Sequence, residues 1–534
     1  MVKFIKKYHL PILSGLLAAL SFPLANLGFL IWFAFIPLLI FVINYGEEKS
    51  RKEIFWGGLI AGFIYSLIFY RWFWSVYPLD SLGVHNNLIA FILVSTTWIA
   101  TSFGYSLIWG AFAVAIKVIS PTKKWLSILV IPSLWVVLEY IQSYGAGIYM
   151  AGKGASFGPH WGMSNIAYVL HNNSLALKLA SIGGIYLVAF IILLVNVLLF
   201  RFITKKDYKK LGVLSILLLL ISFSVLWVPE KEEIADIPVA VAQTKIPTKV
   251  GRSFDEEIET VNERVALLNQ ASALDPQPEI VILPEGANLS TSLNILFSPQ
   301  YVQSYFKNLF VKPTLVIDSA SIANEEGKKS KTIFLDSKIG LLETYDKRFL
   351  TPYGEYLPYY VDVMFSFFAV SKEKIQEDLL FDPGDKESPV RGVVNGPKVN
   401  VFVCAEVFSP KYVSEASHDI ANAIIIQSST GRFKGSQIVL REMEAAAQFR
   451  AAENNRYLIF ATNYGISSVI DNHGRITKKA ENNEARLFTG FIRTIEGKSW
   501  YNKTKDLILF LAVIIIFFAA ISIWVQNKKS IRSS

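Results

Sequence analysis

Three residues of the chain have the side chains that acyl transfer through a thioester requires. Cys404 is the only cysteine, and it follows the apolar run Val399–Val403. Glu285 ends the run EIVILPE, and Lys347 lies in TYDKRFLTPYGEYLP. Such a reaction needs a nucleophile, a base that deprotonates it, and a group that stabilises the developing oxyanion. A thiol, a carboxylate and an ammonium group supply one role each.

Each of these residues also has a purely structural interpretation. A free cysteine is often an inert member of a core, a glutamate after a strand is often a solvated loop residue, and a Lys-Arg pair often marks a surface turn. The three residues favour catalysis only as a set. The six histidines are scattered and lack the spacing of metal ligands, so we predict no metal site and no cofactor. A catalytic pair of Cys404 and His418 stays an alternative, since folding can bring the two residues together.

The segment that carries these residues has the pattern of an α/β fold. It alternates Val- and Ile-rich runs with two helical stretches at residues 254–274 and 436–454. In α/β folds, catalytic groups usually lie just past the carboxyl ends of strands, where Cys404 and Glu285 are expected. We predict buried strands at IPVAVAQ, PEIVILPE, PTLVIDSA, VNVFVCAE, ANAIIIQSS and YLIFATNYG.

The rest of the chain has the composition of a membrane protein. Of 534 residues, 52% are hydrophobic and 18% are charged, against about 25% charged residues in soluble domains. Each helical crossing of the hydrocarbon core needs roughly 20 apolar residues. We predict seven crossings in residues 1–229, an α/β domain at 230–500, and an eighth crossing with a basic tail in 501–534. The expected spans are 10–25, 27–44, 54–75, 87–116, 124–143, 176–200, 211–228 and 507–525.

The basic residues predict how the chain is oriented. They cluster at alternate ends of the crossings, whereas the opposite loops contain Lys153 alone; the clusters lie at 3–7, 49–52, 117–124, 201–210 and 528–532. Because Lys and Arg mark cytoplasmic loops, we expect both termini in the cytoplasm and the 230–500 domain outside it. The basic residues behind the net charge of +9 then lie beside anionic lipid headgroups, and no nucleic-acid partner is expected.

The order LPEG, YDKRFLTPYGEYLP and VCAE resembles the Glu–Lys–Cys motifs of the nitrilase superfamily. With the apolar segments around them, nearly the whole chain resembles the apolipoprotein N-acyltransferases of the bacterial cytoplasmic membrane. Supporting stretches are LSFPLANLGFLIWFAFIPLL, WFWSVY, IPSLWVVLEY, SIGGIYLVAFIILLVN and RAAENNRYLIFATNYGISSVIDNHGRI. The resemblance implies a multi-span α-helical bundle of about eight helices and an extracytoplasmic nitrilase-like domain, an αββα sandwich.

The resemblance also implies a two-step transfer. Cys404 would attack an ester carbonyl of a phospholipid, typically phosphatidylethanolamine, and hold the acyl chain as a thioester. The N-terminal amino group of a diacylglyceryl-cysteine on an apolipoprotein would then accept it. Glu285 matches the general base and Lys347 the oxyanion-stabilising lysine, which the N–H of Ala405 would assist. Glu355 and Glu406 match acidic residues that support the site.

The chain departs from the family at three positions near the motifs. The residue after the nucleophile is usually Tyr, and here it is Ala405. Ser429 and Arg432 stand where the family usually has Asn and Trp. These positions bear on the contacts with acyl chain and lipoprotein more than on the three catalytic residues, and Arg432 is a candidate substrate contact.

Four residues of the membrane segment are further candidates. Trp72 and Trp74 are expected at the outer interface, either as members of an aromatic belt or at a substrate portal beside Arg71. Arg71 either extends to the interface or meets a lipid phosphate. Glu139 lies within a predicted crossing, where a carboxylate is costly to bury, so it is either functional or part of a structural pair.

Three alternatives remain open at this stage. The same three residues also suit a membrane-tethered amide or nitrile hydrolase, which would release ammonia instead of forming a long-chain thioester. A divergent acyltransferase would use a different amine acceptor. A non-catalytic scaffold would retain the fold, and its function would survive the loss of Cys404.

Overall fold

The computed structural model describes residues 2–22, 27–46, 48–119, 126–155, 160–205, 236–246, 253–324, 327–368, 370, 380–417, 421–481, 483–495 and 497–533. Its α-helices are Val2–Ser21 (α1), Ile36–Leu39 (α2), Arg51–Phe69 (α3), Asn87–Ile119 (α4), Leu126–Tyr149 (α5), Ser174–Lys205 (α6), Phe254–Ser272 (α7), Leu289–Leu296 (α8), Pro299–Leu309 (α9), Tyr359–Phe367 (α10), Pro410–Ala416 (α11), Gln437–Asn454 (α12), Trp500–Thr504 (α13) and Leu507–Ser533 (α14).

The strands follow the first six helices and form two sheets. They are Asp236–Gln243 (β1), Ile280–Ile282 (β2), Leu315–Asn324 (β3), Gly327–Asp336 (β4), Gly340–Asp346 (β5), Val390–Gly392 (β6), Lys398–Val403 (β7), Ala423–Ser429 (β8), Tyr457–Asn463 (β9), Ser468–Ile470 (β10), Ile476–Lys479 (β11) and Arg486–Arg493 (β12). Each of the six predicted strand runs overlaps one of these strands, and both predicted helices are present as α7 and α12.

Five helices of the described chain are long and apolar enough to cross a membrane. They are Arg51–Val76, Asn87–Ile119, Ser127–Tyr149, Ser174–Thr204 and Leu507–Gln526. These five correspond to predicted crossings. The predicted crossing at 10–25 coincides with α1 over only part of its length, and the one at 211–228 lies outside the described residues. The predicted number of eight is therefore not confirmed.

The predicted crossing at 27–44 is broken into short helical turns. A 3₁₀ turn at Gly28–Trp32 precedes α2, and a π turn at Ile40–Asn44 follows it. Breaks expose backbone polar groups, which are costly in an apolar interior. Asn196 on α6 satisfies them, since its Nδ2 donates to the carbonyl of Ile31 over 2.9 Å and its Oδ1 accepts from the N–H of Phe35 over 2.9 Å.

The two sheets have six strands each, in the orders β12-β1-β2-β3-β4-β5 and β11-β10-β9-β8-β7-β6. The central strands β1–β2–β3 and β7–β8–β9 are parallel. Side chains alternate between the two faces of a strand. Val239 and Val241 of β1 accordingly belong to the core that also contains Val401 of the other sheet, whereas Ala240 and Ala242 pack with the outer helices.

This arrangement confirms the predicted sandwich of two sheets between helices. Helices α7, α8 and α9 cover the outside of the first sheet, and α12 packs on β9 and also against α6 of the membrane bundle. Helix α12 therefore joins the sandwich to the bundle. The predicted boundary between residues 229 and 230 falls outside the described residues and stays a prediction.

Candidate active site

Cys404 lies immediately after β7, at the start of a 3₁₀ turn over Cys404–Phe408. Its φ of 51° is in the left-handed region, which non-glycine residues rarely occupy. The chain thus turns sharply from strand to helix at the sulfur. Strained backbone of this kind persists where surrounding structure holds it and is common at active sites. The thiol is buried, with 6% of the residue exposed.

Lys347 lies at the centre of the polar groups beside Cys404. It follows β5, and its side chain is completely buried. Its Nζ is 3.1 Å from Glu285 Oε1, 2.7 Å from Glu355 Oε2 and 3.2 Å from the hydroxyl of Thr351. Buried charges require such partners. Glu355 is itself fixed, because its Oε2 accepts from the N–H of Thr351 over 2.7 Å.

Burial and the neighbouring charges set the protonation of the three groups. Burial raises the pKa of Cys404 to about 12, and the negative charge of Glu285 adds to this rise. Burial also raises the pKa of Glu285, although the ammonium of Lys347 opposes the shift. Burial alone would lower the pKa of Lys347, but the carboxylates of Glu285 and Glu355 outweigh it and raise that pKa.

The chemical consequence is a neutral thiol beside a base. At neutral pH the thiol of Cys404 keeps its proton, because burial and the negative charge of Glu285 both raise its pKa. A glutamate of raised pKa is a better proton acceptor near neutrality. Lys347 remains a cation and can stabilise negative charge that develops near the sulfur.

Glu406 fixes the loops around the nucleophile. Its carboxylate is fully buried. Oε1 accepts from the hydroxyl of Tyr345 over 2.7 Å and from the N–H of Arg348 over 2.8 Å, and Oε2 accepts from the N–H of Val403 over 2.8 Å. One side chain therefore ties the end of β7 to the segment that carries Lys347, which is a positioning role.

Two clefts meet at Cys404. The apolar cleft is lined mainly by aromatic rings and methionines: Tyr70, Trp72, Phe73, Tyr105, Met150, Trp161, Met163, Tyr353, Phe408 and Met443. The polar cleft is lined by Glu285, Asn288, Lys328, Ser330, Glu355, Ser429, Arg432 and Asn463, among others. Cys404, Thr351 and Phe433 line both clefts. The sulfur is therefore accessible from an apolar side and from a polar side.

The structure places the other predicted residues as follows. Trp72 and Ala405 line the apolar cleft, and Arg432 lines the polar one. Trp74 packs instead against Trp98, with ring centres 5.9 Å apart. Arg71 is exposed and donates to the carbonyl of Ile68 over 3.4 Å.

Glu139 does not line either cleft. It is buried, and its Oε1 accepts from the N–H of Ile166 over 3.1 Å, which makes it a structural partner of the loop after α5. Ser429 accepts from Asn463 Nδ2 over 3.1 Å. His418, which left a Cys–His pair open, lies outside the described residues.

Sequence reasoning did not select several residues that line the clefts. Thr351 and Tyr353 lie within the Lys347 motif, whose two prolines and aromatic residues were the available signal. Phe433 and Asn463 carry no pattern that separates them from ordinary turn and strand-end residues. Their contribution depends on the packing of segments that are distant in sequence.

Two family models match this chain. Residues 14–198 match the family model of the apolipoprotein N-acyltransferase N-terminal domain, and residues 239–494 match that of carbon-nitrogen hydrolases. An apolipoprotein N-acyltransferase of Geobacter metallireducens is 27% identical over 532 residues, with 95% of this chain and 93% of that protein covered. One of Thermotoga maritima is 24% identical, with 98% and 94% covered.

Solved structures of a nitrilase-superfamily member and of an amidase also align with part of the chain. Nit3 of Saccharomyces cerevisiae, a member of branch 10 of the nitrilase superfamily, is 17% identical, with 52% of this chain and 96% of that chain covered and a TM-score of 0.35. An amidase from Nesterenkonia sp. is 15% identical, with 52% and 95% covered and a TM-score of 0.33.

Proposed function

The chain belongs to the apolipoprotein N-acyltransferase family, and from this premise we propose that Cys404, Glu285 and Lys347 carry out its reaction. The names of its relatives state that an acyl group is transferred to a nitrogen of an apolipoprotein, and we propose that the acyl chain comes from a phospholipid and goes to the N-terminal amino group. The acceptor is the diacylglyceryl-cysteine of the apolipoprotein, and phosphatidylethanolamine is the donor that we expect.

The first step forms the thioester. Glu285 takes the proton of the Cys404 thiol as the sulfur attacks the ester carbonyl of the phospholipid. The tetrahedral oxyanion lies near the ammonium of Lys347, which stabilises it together with the N–H of Ala405. The C–O bond then breaks, the lysophospholipid alkoxide takes the proton from Glu285, and the acyl chain remains on the sulfur.

The second step forms the amide. The amino group of the acceptor attacks the thioester carbonyl, and Glu285 takes a proton from the nitrogen. The C–S bond breaks and the sulfur is reprotonated, so the enzyme returns to its initial state. Exclusion of water from the acyl-enzyme favours the amine over hydrolysis.

The observation that carries the proposal is the position of Cys404 at the junction of the two clefts. An acyl chain suits a cleft lined by Trp72, Met163 and Met443, since each buried CH₂ contributes about 0.8 kcal/mol. The polar cleft leaves room for the headgroup and for the amine. A hydrolase of small amides has no need of an apolar cleft at the membrane bundle, so the hydrolase alternative is not favoured.

The orientation of the chain is part of the proposal. The family is one of bacterial membrane proteins, and the apolar helices of this chain agree with that location. Tyr70, Trp72, Phe73 and Met150, which line the apolar cleft, follow α3 and α5 at the ends opposite the basic clusters at 49–52 and 117–124. We therefore place the active site on the extracytoplasmic face and both termini in the cytoplasm.

Mass spectrometry of the purified, detergent-solubilised protein tests the chemistry. After incubation with phospholipid, we expect an acyl adduct on Cys404 that hydroxylamine removes. Cys404→Ala must lack the adduct, and Cys404→Ser, Glu285→Ala and Lys347→Ala must nearly abolish transfer while the protein stays folded. Full transfer by Cys404→Ala would contradict catalysis, and release of ammonia from small amides would favour the hydrolase.

A further inference from the structure

Two basic side chains lie in the polar cleft outside the group around Lys347. Lys328 and Arg432 line this cleft together with Cys404. The mechanism uses Lys347 for the oxyanion and gives neither Lys328 nor Arg432 a role.

The strand that carries Lys328 directs it into the cleft. Residues of β4 alternate between two faces, and Lys328 and Ser330 line the cleft, whereas Lys329 and Lys331 bind Asp346 on the other face. The ammonium of Lys328 lies 4.4 Å from the centre of the Phe381 ring, which also lines the cleft. This contact restricts the otherwise flexible side chain.

The turn that carries Arg432 is held on both sides. It is the 3₁₀ turn Gly431–Phe433 between β8 and α12. The ring of Phe433 packs edge-on against Trp72, with centres 5.1 Å apart, and Lys434 Nζ donates to the carbonyl of Tyr77 over 2.7 Å. Arg432 is therefore placed by neighbours that themselves contact the membrane bundle.

We propose that Lys328 and Arg432 bind the phosphate of the acyl donor while its ester carbonyl lies at Cys404. A guanidinium forms paired hydrogen bonds with phosphate oxygens, and a lysine adds a point charge. The inference deepens the proposed function, because it requires a phospholipid donor. The diacylglyceryl-cysteine acceptor contains no phosphate, so this subsite serves the first step alone.

The test compares two acyl donors in the same detergent micelles. Formation of the Cys404 acyl-enzyme is measured with phosphatidylethanolamine or phosphatidylglycerol, and with 4-nitrophenyl palmitate, which has an acyl ester but no phosphate. In Arg432→Gln and in Lys328→Gln, we expect the ratio of the phospholipid kcat/KM to the palmitate kcat/KM to fall about tenfold, mainly through KM. Arg432→Lys keeps a cation and recovers much of the ratio.

Lys329→Gln is the matched control, since it removes a charge from the adjacent position on the opposite face of β4 and should leave the ratio unchanged. An equal loss with both donors, or an unchanged ratio, would overturn the subsite. So would a defect confined to transfer from preformed acyl-enzyme to the acceptor, which would assign the cleft to the lipoprotein. If the wild-type protein forms an adduct with the palmitate ester but with no phospholipid, the proposed function itself fails.

Discussion

At the scale of single residues, Glu355 acts on the proposed catalytic groups through its charge. It lies 2.7 Å from Lys347 Nζ, and its negative charge contributes to the raised pKa of both Glu285 and Cys404. Glu285 must be deprotonated to accept the thiol proton. The acid limb of the pH profile of kcat/KM therefore reports the pKa of Glu285 in the free enzyme, and activity is lost as the pH falls through it.

We predict that Glu355→Gln moves this acid limb to lower pH. The substitution removes a neighbouring negative charge, so the pKa of Glu285 falls, while the amide oxygen can still accept from the N–H of Thr351. The measurement is kcat/KM for acyl-enzyme formation as a function of pH. Glu387→Gln, at an exposed position 4.0 Å from Arg348, is the control and should leave the limb in place. A shift to higher pH would contradict the assignment of Glu285 as the base.

The three proposed catalytic residues were selected from the sequence because their chemistry is unusual and their positions are local. A lone cysteine, a glutamate and a lysine each follow a strand, and the carboxyl ends of strands meet at one edge of each sheet. Their hydrogen-bond partners were less accessible to sequence reasoning. The bonds of Glu406 to Tyr345 and Arg348 join segments about 60 residues apart, and no local pattern specifies them.

At the scale of elements, buried parallel strands were predicted and polar antiparallel ones were not. Strands β7, β8 and β9 are covered on both faces, so their residues form continuous apolar runs. Strand β4 begins GKKSK, because one face contacts the polar cleft and the other Asp346. A search for apolar runs overlooks such a strand, although it positions Lys328 and Ser330.

The same limit applies to the membrane segment. Length and hydropathy identify α4 and α6, whose apolar runs are long. They also suggest a continuous crossing at 27–44, where the structure has broken turns. That break is stabilised by a side chain on a distant helix, Asn196, and the local sequence does not show this partner.

The position of Phe433 where the two clefts meet leads to a prediction about water. Phe433 lines both clefts and packs against Trp72, which is stacked on Phe73 with ring centres 4.3 Å apart. We expect Phe433→Ala to admit water to the thioester. The acyl-enzyme should then hydrolyse faster without acceptor, and the ratio of free fatty acid to acylated acceptor should rise several-fold.

Phe433→Leu is the control for this prediction, because it keeps an apolar side chain where the two clefts meet. Its ratio of free fatty acid to acylated acceptor should stay near that of the wild-type protein. Fatty acid release is measured by mass spectrometry with acceptor present and absent. If Phe433→Ala left the lifetime of the acyl-enzyme unchanged, the side chain of Phe433 would have no role in excluding water.

At the scale of the whole molecule, the sandwich and the bundle are joined by buried polar contacts. Glu442 and Glu453 of α12 are both fully buried. Glu442 accepts from the N–H of Ser164 over 2.7 Å, and Glu453 accepts from the N–H of Ile185 over 3.0 Å. These bonds satisfy backbone groups that would otherwise be unpaired in an apolar interior. The second lies beside the kink of α6 at Gly183 and Gly184.

The contacts between α12 and the membrane bundle bring the bundle next to Cys404, so that it helps to form the apolar cleft. The apolar cleft is formed by the segment Tyr70–Val76 after α3, by the loop after α5, and by the 3₁₀ turn that begins at Cys404. Gly162 N–H donates to the carbonyl of Phe408 over 2.6 Å, which fixes the loop against that turn. The bundle therefore forms one wall of the candidate active site in addition to anchoring it, and this wall includes Tyr70 to Phe73, at the end of α3 that lacks a basic cluster.

This geometry makes the orientation of the chain testable with single cysteines. Cys404 is the only native cysteine, so Cys404→Ser provides a background without thiols. Lys307→Cys on α9 and Lys528→Cys on α14 then place one exposed thiol on the sandwich and one on the C-terminal tail.

A membrane-impermeant maleimide, added to cells whose outer envelope has been made permeable, should label position 307 directly. Position 528 should be labelled only after the cytoplasmic membrane is opened, since Lys528 lies in the basic end that we place in the cytoplasm. The reverse pattern would put the active site on the cytoplasmic side, where it would not meet exported lipoproteins, and equal labelling of both positions before opening would contradict a crossing by α14.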